Sequence, residues 1–149
     1  MKKTCLLLVA VGLVAASCNS SNQLRQDEVI QIKSRRFSVQ LADTPQEREQ
    51  GLSGIAAISD EEGMLFLFSG PQSPQFWMKD MNFPLDLVWI NGDKIVGITD
   101  NVPTQPKVPD SQLATYAPPS PVDKVLEVNA GWALRKDVNV GDTITVVSQ

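Results

Sequence analysis

From Val29 onward the apolar residues come in short runs, and proline or glycine closes most of them. This punctuation constrains the fold more than any other feature. Proline lacks the amide hydrogen that a helix interior or a central strand needs, and glycine weakens both. Frequent breaks favour short elements over long helices. What fits is a set of strands of about four to eight residues joined by turns.

Read in order, the runs predict the elements. Val29, Ile32, Phe37, Val39 and Leu41 suggest a strand pair turning around Lys33-Ser34-Arg35. Thr44-Pro45-Gln46-Glu47 is a capping box with proline at the first helical position, so a short helix should span about 45–50 until Gly51 stops it. Gly63-Met64-Leu65-Phe66-Leu67-Phe68 reads as a strand buried on both faces. Phe76-Trp77-Met78 and Leu85 to Ile90 read as two more. Asn91-Gly92 is a turn signal, with Lys94 to Thr99 returning as the hairpin partner. Six prolines between 102 and 121 mark a long surface loop, of a length usually functional or disordered. Val122 to Val128 is a strand, about 131–136 one helical turn, and Thr143 to Val147 the final strand. Together they predict a mainly β fold, a single β-sandwich or partly open barrel. Its core should include Leu65, Phe66, Leu87 and Val128.

The first residues carry a different message. Met1-Lys2-Lys3 precedes an apolar run from Cys5 to Ala16, the pattern of an export signal and too short for a membrane span. The run ends Ala15-Ala16-Ser17-Cys18, which resembles the lipobox of bacterial lipoproteins, with Ala15 where leucine is usual. That resemblance implies residues 1–17 as a signal peptide and a lipid on Cys18. An ordinary signal followed by an incidental cysteine is the alternative. Residues 18–28 are polar and read as a tether, and 29–149 as one domain. The expected location is the extracytoplasmic side of a membrane, reached through that lipid.

Cysteine use then excludes chemistry. With Cys5 removed and Cys18 acylated, the domain keeps no thiol for a disulfide, a nucleophile or a thiolate metal site. There is no histidine, which removes serine–histidine catalysis and the common zinc and copper sites. No cofactor is expected. Losing Lys2 and Lys3 leaves 11 basic residues against 17 acidic ones, a net of −6. Such a domain is a poor partner for nucleic acid.

Polar side chains inside apolar strands are the informative positions, because burying them costs free energy unless they are partnered. Asp86 interrupts Leu85 to Ile90, Glu127 sits within Val125 to Val128, and Lys79 follows Phe76-Trp77-Met78. These three with Trp77 as a wall could form a ligand pocket or do acid–base work. The plainer reading, preferred for each, is a structural ion pair or a carboxylate holding backbone N–H groups. Met64, Met78 and Met81 admit a copper(I) reading, but methionines more often fill gaps in a core. Trp77, Trp89 and Trp132 could stack on a sugar, with core packing again the commoner use.

Several of these stretches carry a family likeness. Gly51-Leu52, Gly63 to Phe68, Phe76-Trp77-Met78-Lys79-Asp80, Pro84-Leu85-Asp86, Val125-Leu126-Glu127 with Gly131, and Gly141-Asp142 resemble the domain-of-unknown-function family numbered 192. The likeness covers about Phe37 to Val147, and Asp80 stands where asparagine is expected. The resemblance implies a β-rich, often exported domain and brings no activity or cofactor. Three functions therefore stay open. The first is a binding module for a small polar ligand or a glycan. The second is a hydrolase using Asp86 and Glu127 as a carboxylate pair. The third is a structural or partner-binding envelope protein.

Overall fold

The computed structural model describes residues 28–147. Cys18, the signal and nearly all of the tether lie outside them. The described residues form nine strands: β1 (Glu28–Ile32), β2 (Arg35–Ala42), β3 (Glu62–Gln72), β4 (Phe76–Trp77), β5 (Leu85–Asn91), β6 (Lys94–Val102), β7 (Thr115–Tyr116), β8 (Val122–Asn129) and β9 (Ile144–Val147). Two short helices join them, α1 (Pro45–Gln50) and α2 (Trp132–Lys136). Seven strands form one sheet in the order β6-β5-β8-β3-β2-β1-β9, and β4 pairs with β7 in a small second sheet. The chain is mainly β, as the punctuation predicts, and of the two architectures expected it takes the partly open barrel.

The sheet curls until its two edges approach. Lys94 of β6 bridges Thr143, and Ile95 and Asp142, Gly141 and Ile95, and Ile144 and Asp93 share backbone hydrogen bonds across the same seam. Register shifts in the β5–β6 and β3–β8 pairs bend the strands that must turn most. All pairs in the sheet are antiparallel except β2 with β3. A parallel neighbour needs a crossover, and α1 with the segment 51–61 provides it.

The curled sheet buries apolar side chains on both faces. Every one of its strands contributes to the concave core, including Ile30, Phe37, Leu65, Val88, Ile95, Leu126 and Ile144, with Trp132 of α2 filling the interior. The convex face carries a second core of Met64, Phe66, Leu87, Trp89 and Val125. It is covered by Leu52, Ile55 and Ile58 of the crossover and by Phe76 and Tyr116 of the small sheet. Leu65, Phe66, Leu87 and Val128 are all buried.

Three local expectations need correction. The strand expected over Phe76-Trp77-Met78 is only two residues long, β4 of the small sheet, and Met78 is a buried core residue outside it. The proline-rich segment, expected as one long surface loop, carries regular structure. It holds a 3₁₀ turn (Asp110–Gln112) and β7, and Pro119 packs so closely on Gly97 that a Cβ there would sit 2.7 Å from its ring. The hairpin turn is Gly92-Asp93, one residue later than Asn91-Gly92, because Asn91 still pairs with Lys94.

Candidate functional site

Asp86 is fully buried on the concave side, and its environment explains why. One oxygen accepts the backbone N–H groups of Asn101 and Gly131, each at 2.9 Å, and the other accepts that of Ala133 at 3.0 Å. The carboxylate thus ties the end of β6 and the start of α2 to β5. Gly131 opens that helix with φ +73° and offers no side chain to cap it, so Asp86 supplies the cap from another strand. This is the structural use of a buried carboxylate.

Glu127 faces the other way. In antiparallel neighbours, paired residues share a face, and Glu127 pairs with Met64 and Leu87 of the convex core while Asp86 pairs with Val128 of the concave one. The two carboxylates therefore lie on opposite faces of the sheet and cannot flank one bond. Lys79 joins neither of them. It extends from the end of β4 to Asp110 of the proline-rich segment, 2.6 Å away, with its ammonium 5.9 Å from the centre of the Trp77 ring. β4 pairs with β7 and not with β5, so strand pairing does not bring Lys79 to Asp86.

What the convex face does assemble is a cleft enclosing about 210 Å³, lined by the stretch from Arg48 to Ser53, by Pro74 to Trp77, and by Phe66, Phe68, Met81 and Glu127. Glu127 forms its floor, only 5% exposed, while Trp77 stands at the rim, 45% exposed. The two walls are braced below: Ser53 Oγ donates to the Lys79 carbonyl at 2.8 Å, and Asn82 donates to the Ile55 carbonyl at 2.9 Å. Thr44 and Glu47 complete their predicted capping box, which fixes α1 where its last turn overhangs the cleft. Gly51 then leaves the helix with φ +49° and ψ −138°, a conformation that favours glycine. A Cβ at Gly51 would meet Phe66 at 3.3 Å and a Glu127 oxygen at 3.9 Å, so the missing side chain also leaves room above the carboxyl.

The electrostatics single this carboxyl out. Glu127 Oε2 has no hydrogen-bond partner among the described residues. Burial alone pushes the group from 4.5 up to about 8, with no charged neighbour contributing. Burial thus favours its neutral, protonated form around neutral pH.

Of the four predicted site residues, the structure brings Trp77 and Glu127 together in the cleft, and Lys79 meets Trp77 but not Glu127. Asp86 lies on the opposite face of the sheet. The predicted methionines also divide: Met64 and Met78 are buried in the convex core, and Met81 lines the cleft. The tryptophans form no common platform. Trp132 packs on Phe37 inside the barrel and Trp89 bonds Thr99 under the small sheet, which leaves Trp77 at the surface. Gly51, Phe66, Phe68 and Phe76 are site residues that their own positions do not announce. The signal at Gly51 was legible only as a helix stop.

Comparisons with known proteins show the family and stop short of a function. A solved structure from Sinorhizobium meliloti 1021, described as a candidate transcription regulator, is 32% identical. The match covers 83% of this chain and 95% of that one, with a TM-score of 0.72. A protein of unknown function from Novosphingobium aromaticivorans DSM 12444 is 29% identical over 91% of each chain, with a TM-score of 0.69. No curated protein matches. The family DUF192, described as "Uncharacterized ACR, COG1430", matches residues 28–146, from the first strand to the last, and the chain belongs to it.

Proposed function

We propose that this chain is a binding module, held on the extracytoplasmic side of a membrane by lipid on Cys18, that takes a small polar-headed ligand or a glycan end into the cleft above Glu127. One observation carries the reading: a buried carboxyl without a partner, at the foot of an aromatic-walled opening. Such a group costs stability, and proteins tolerate that cost mainly where function uses the group. A volume of about 210 Å³ suits a small ligand rather than a drug-sized one. A role on nucleic acid, suggested by the name of one structural relative, gains no support from a chain of net charge −4.

A hydrolase is the second reading, favoured by the proton affinity of Glu127, which suits a general acid near neutral pH. Glycoside hydrolysis takes a second carboxyl within about 10 Å across the bond. With Asp86 on the other face of the sheet, binding is the better-supported use. The test is NMR of the three indole N–H groups during titration with monosaccharides, amino sugars and small amines. Binding in the cleft moves the Trp77 signal and leaves those of Trp89 and Trp132, which are bonded inside the cores. A Trp77 signal that stays still across the whole panel would overturn the reading.

A further inference from the structure

We propose that the Glu127 cleft selects organic cations: small amines whose ammonium pairs with the Glu127 carboxylate while their apolar body lies among the Phe66, Phe68, Phe76 and Trp77 rings. The proposal rests on the binding-module reading and names its ligand class.

Among the described residues the ion pairs join Lys33, Lys79, Lys124, Arg135 and Lys136 to other acids, and none reaches Glu127. An ionised Glu127 is thus left without an ion-pair partner among the described residues, and an entering cation can supply one. The walls favour it, because a ring face attracts a cation within about 6 Å of its centre. Two of the chain's own cations already use these rings, Arg48 at 5.6 Å from Phe68 and Lys79 at 5.9 Å from Trp77.

Apart from Glu127, the charged groups lining the cleft are Arg48 and Glu49, both on α1. Arg48 donates to the carbonyls of Asp43 and Leu67, at 2.6 and 3.0 Å, so it is held by the backbone. With Glu127 ionised the lining carries one positive and two negative charges, which repels a carboxylate ligand and attracts an ammonium. Size agrees as well. A closed cavity of about 150 Å³ accommodates a benzene ring, and this cleft is somewhat larger.

The protonation balance is simple. The empty site holds Glu127 as the neutral acid. An entering ammonium R–NH₃⁺ forms an ion pair with the carboxylate, and the acid proton leaves to solvent. No other bond forms or breaks. Since burial sets the empty-site carboxyl at about 8, affinity gains about tenfold for each unit the pH rises towards that value and levels off above it.

Calorimetric titration of the full-length protein with benzylammonium and its neutral isostere benzyl alcohol tests this, in two buffers of different ionisation enthalpy. The wild type should bind the ammonium at least about tenfold tighter, release close to one proton per ligand at pH 7, and gain about tenfold in affinity from pH 6 to 7. Glu127→Gln, which keeps the side-chain shape, should lose the preference and the proton release. Equal affinity for the two compounds, or an ammonium preference that survives in Glu127→Gln, would overturn the cation inference. Should the variant fail to fold, the pH dependence of the wild type decides the same question, and an ammonium affinity that is flat from pH 6 to 7 overturns it. If benzyl alcohol binds as well as the ammonium and moves the Trp77 indole, the cleft is still a binding site of another class. If neither compound nor any sugar moves it, both readings fall.

Discussion

In Asp86→Ala three hydrogen bonds are lost at once, from Asn101, Gly131 and Ala133. The Ala133 bond is buried, so its N–H meets the full cost of an unsatisfied donor, about 1 to 3 kcal/mol. The other two are partly buried and can recover some solvation, which reduces each to about 0.5 to 1.5 kcal/mol. The expected loss is about 2 to 6 kcal/mol, against a total of about 6 to 18 kcal/mol for a domain of this size. Asp86→Asn separates bond loss from bulk. Its remaining oxygen can keep Asn101 and Gly131, but its NH₂ then faces the Ala133 N–H, so only about 1 to 3 kcal/mol should go. Urea unfolding of the three proteins should rank wild type above Asp86→Asn above Asp86→Ala, with a midpoint shift of about 1 M or more for the alanine variant and an unchanged slope. Two variants within about 0.5 kcal/mol of wild type, or an alanine variant more stable than wild type, would refute the anchoring role and make Asp86 a candidate ligand-binding group again.

Three further outcomes are expected. Glu127 carries a folded-state value near 8 against an unfolded 4.5, so the folded state holds the extra proton between them. The stability of the wild type relative to Glu127→Gln should fall by up to about 1.4 kcal/mol per pH unit from about pH 4.5 to 8 and then flatten, and a flat difference in denaturation midpoints would contradict this. Gly63→Ala brings a Cβ within 2.7 Å of the Glu127 carbonyl oxygen, so calorimetric melting should show a loss of about 1 to 3 kcal/mol where a spacious site would show none. Cys18→Ser should leave the membrane fraction for a soluble or unprocessed form on cell fractionation; a processed, membrane-bound variant would disprove the lipid anchor.

The parts of this fold that were legible from sequence are those whose causes lie within a few residues. The Thr44–Glu47 capping box, the β1–β2 hairpin and the continuous apolar strand around Leu65 all depend on neighbours in the chain. Asp86 announced itself as a polar residue amid apolar ones, yet its partners did not, because Ala133 lies 47 residues away and arrives by the fold alone. Glu127 and Asp86 looked equivalent for the same reason. Alternation assigns faces along one strand, but only the register Asp86↔Val128 and Leu87↔Glu127 reveals that the two carboxylates point apart. The cleft is harder still to read. It forms where a helix end, a two-residue strand and two central strands converge, and no periodicity encodes that meeting.

The seam where the two edges of the curled sheet meet has a consequence for assembly order. Residues 141–147 bond β6 on one side through Gly141, Asp142, Thr143 and Ile144, and extend along β1 on the other, as far as Val29↔Val147. One short segment therefore seals both edges of the sheet. A chain made from its N-terminus has every other strand of the sheet before it has this one, so the nearly complete sheet passes through a stage with two open, hydrogen-bonding edges. Open edges recruit strands from other chains. Truncation at residue 140 should consequently yield aggregates rather than a loosened monomer. A peptide spanning 141–147, supplied during refolding, should compete with the native closure at the same seam.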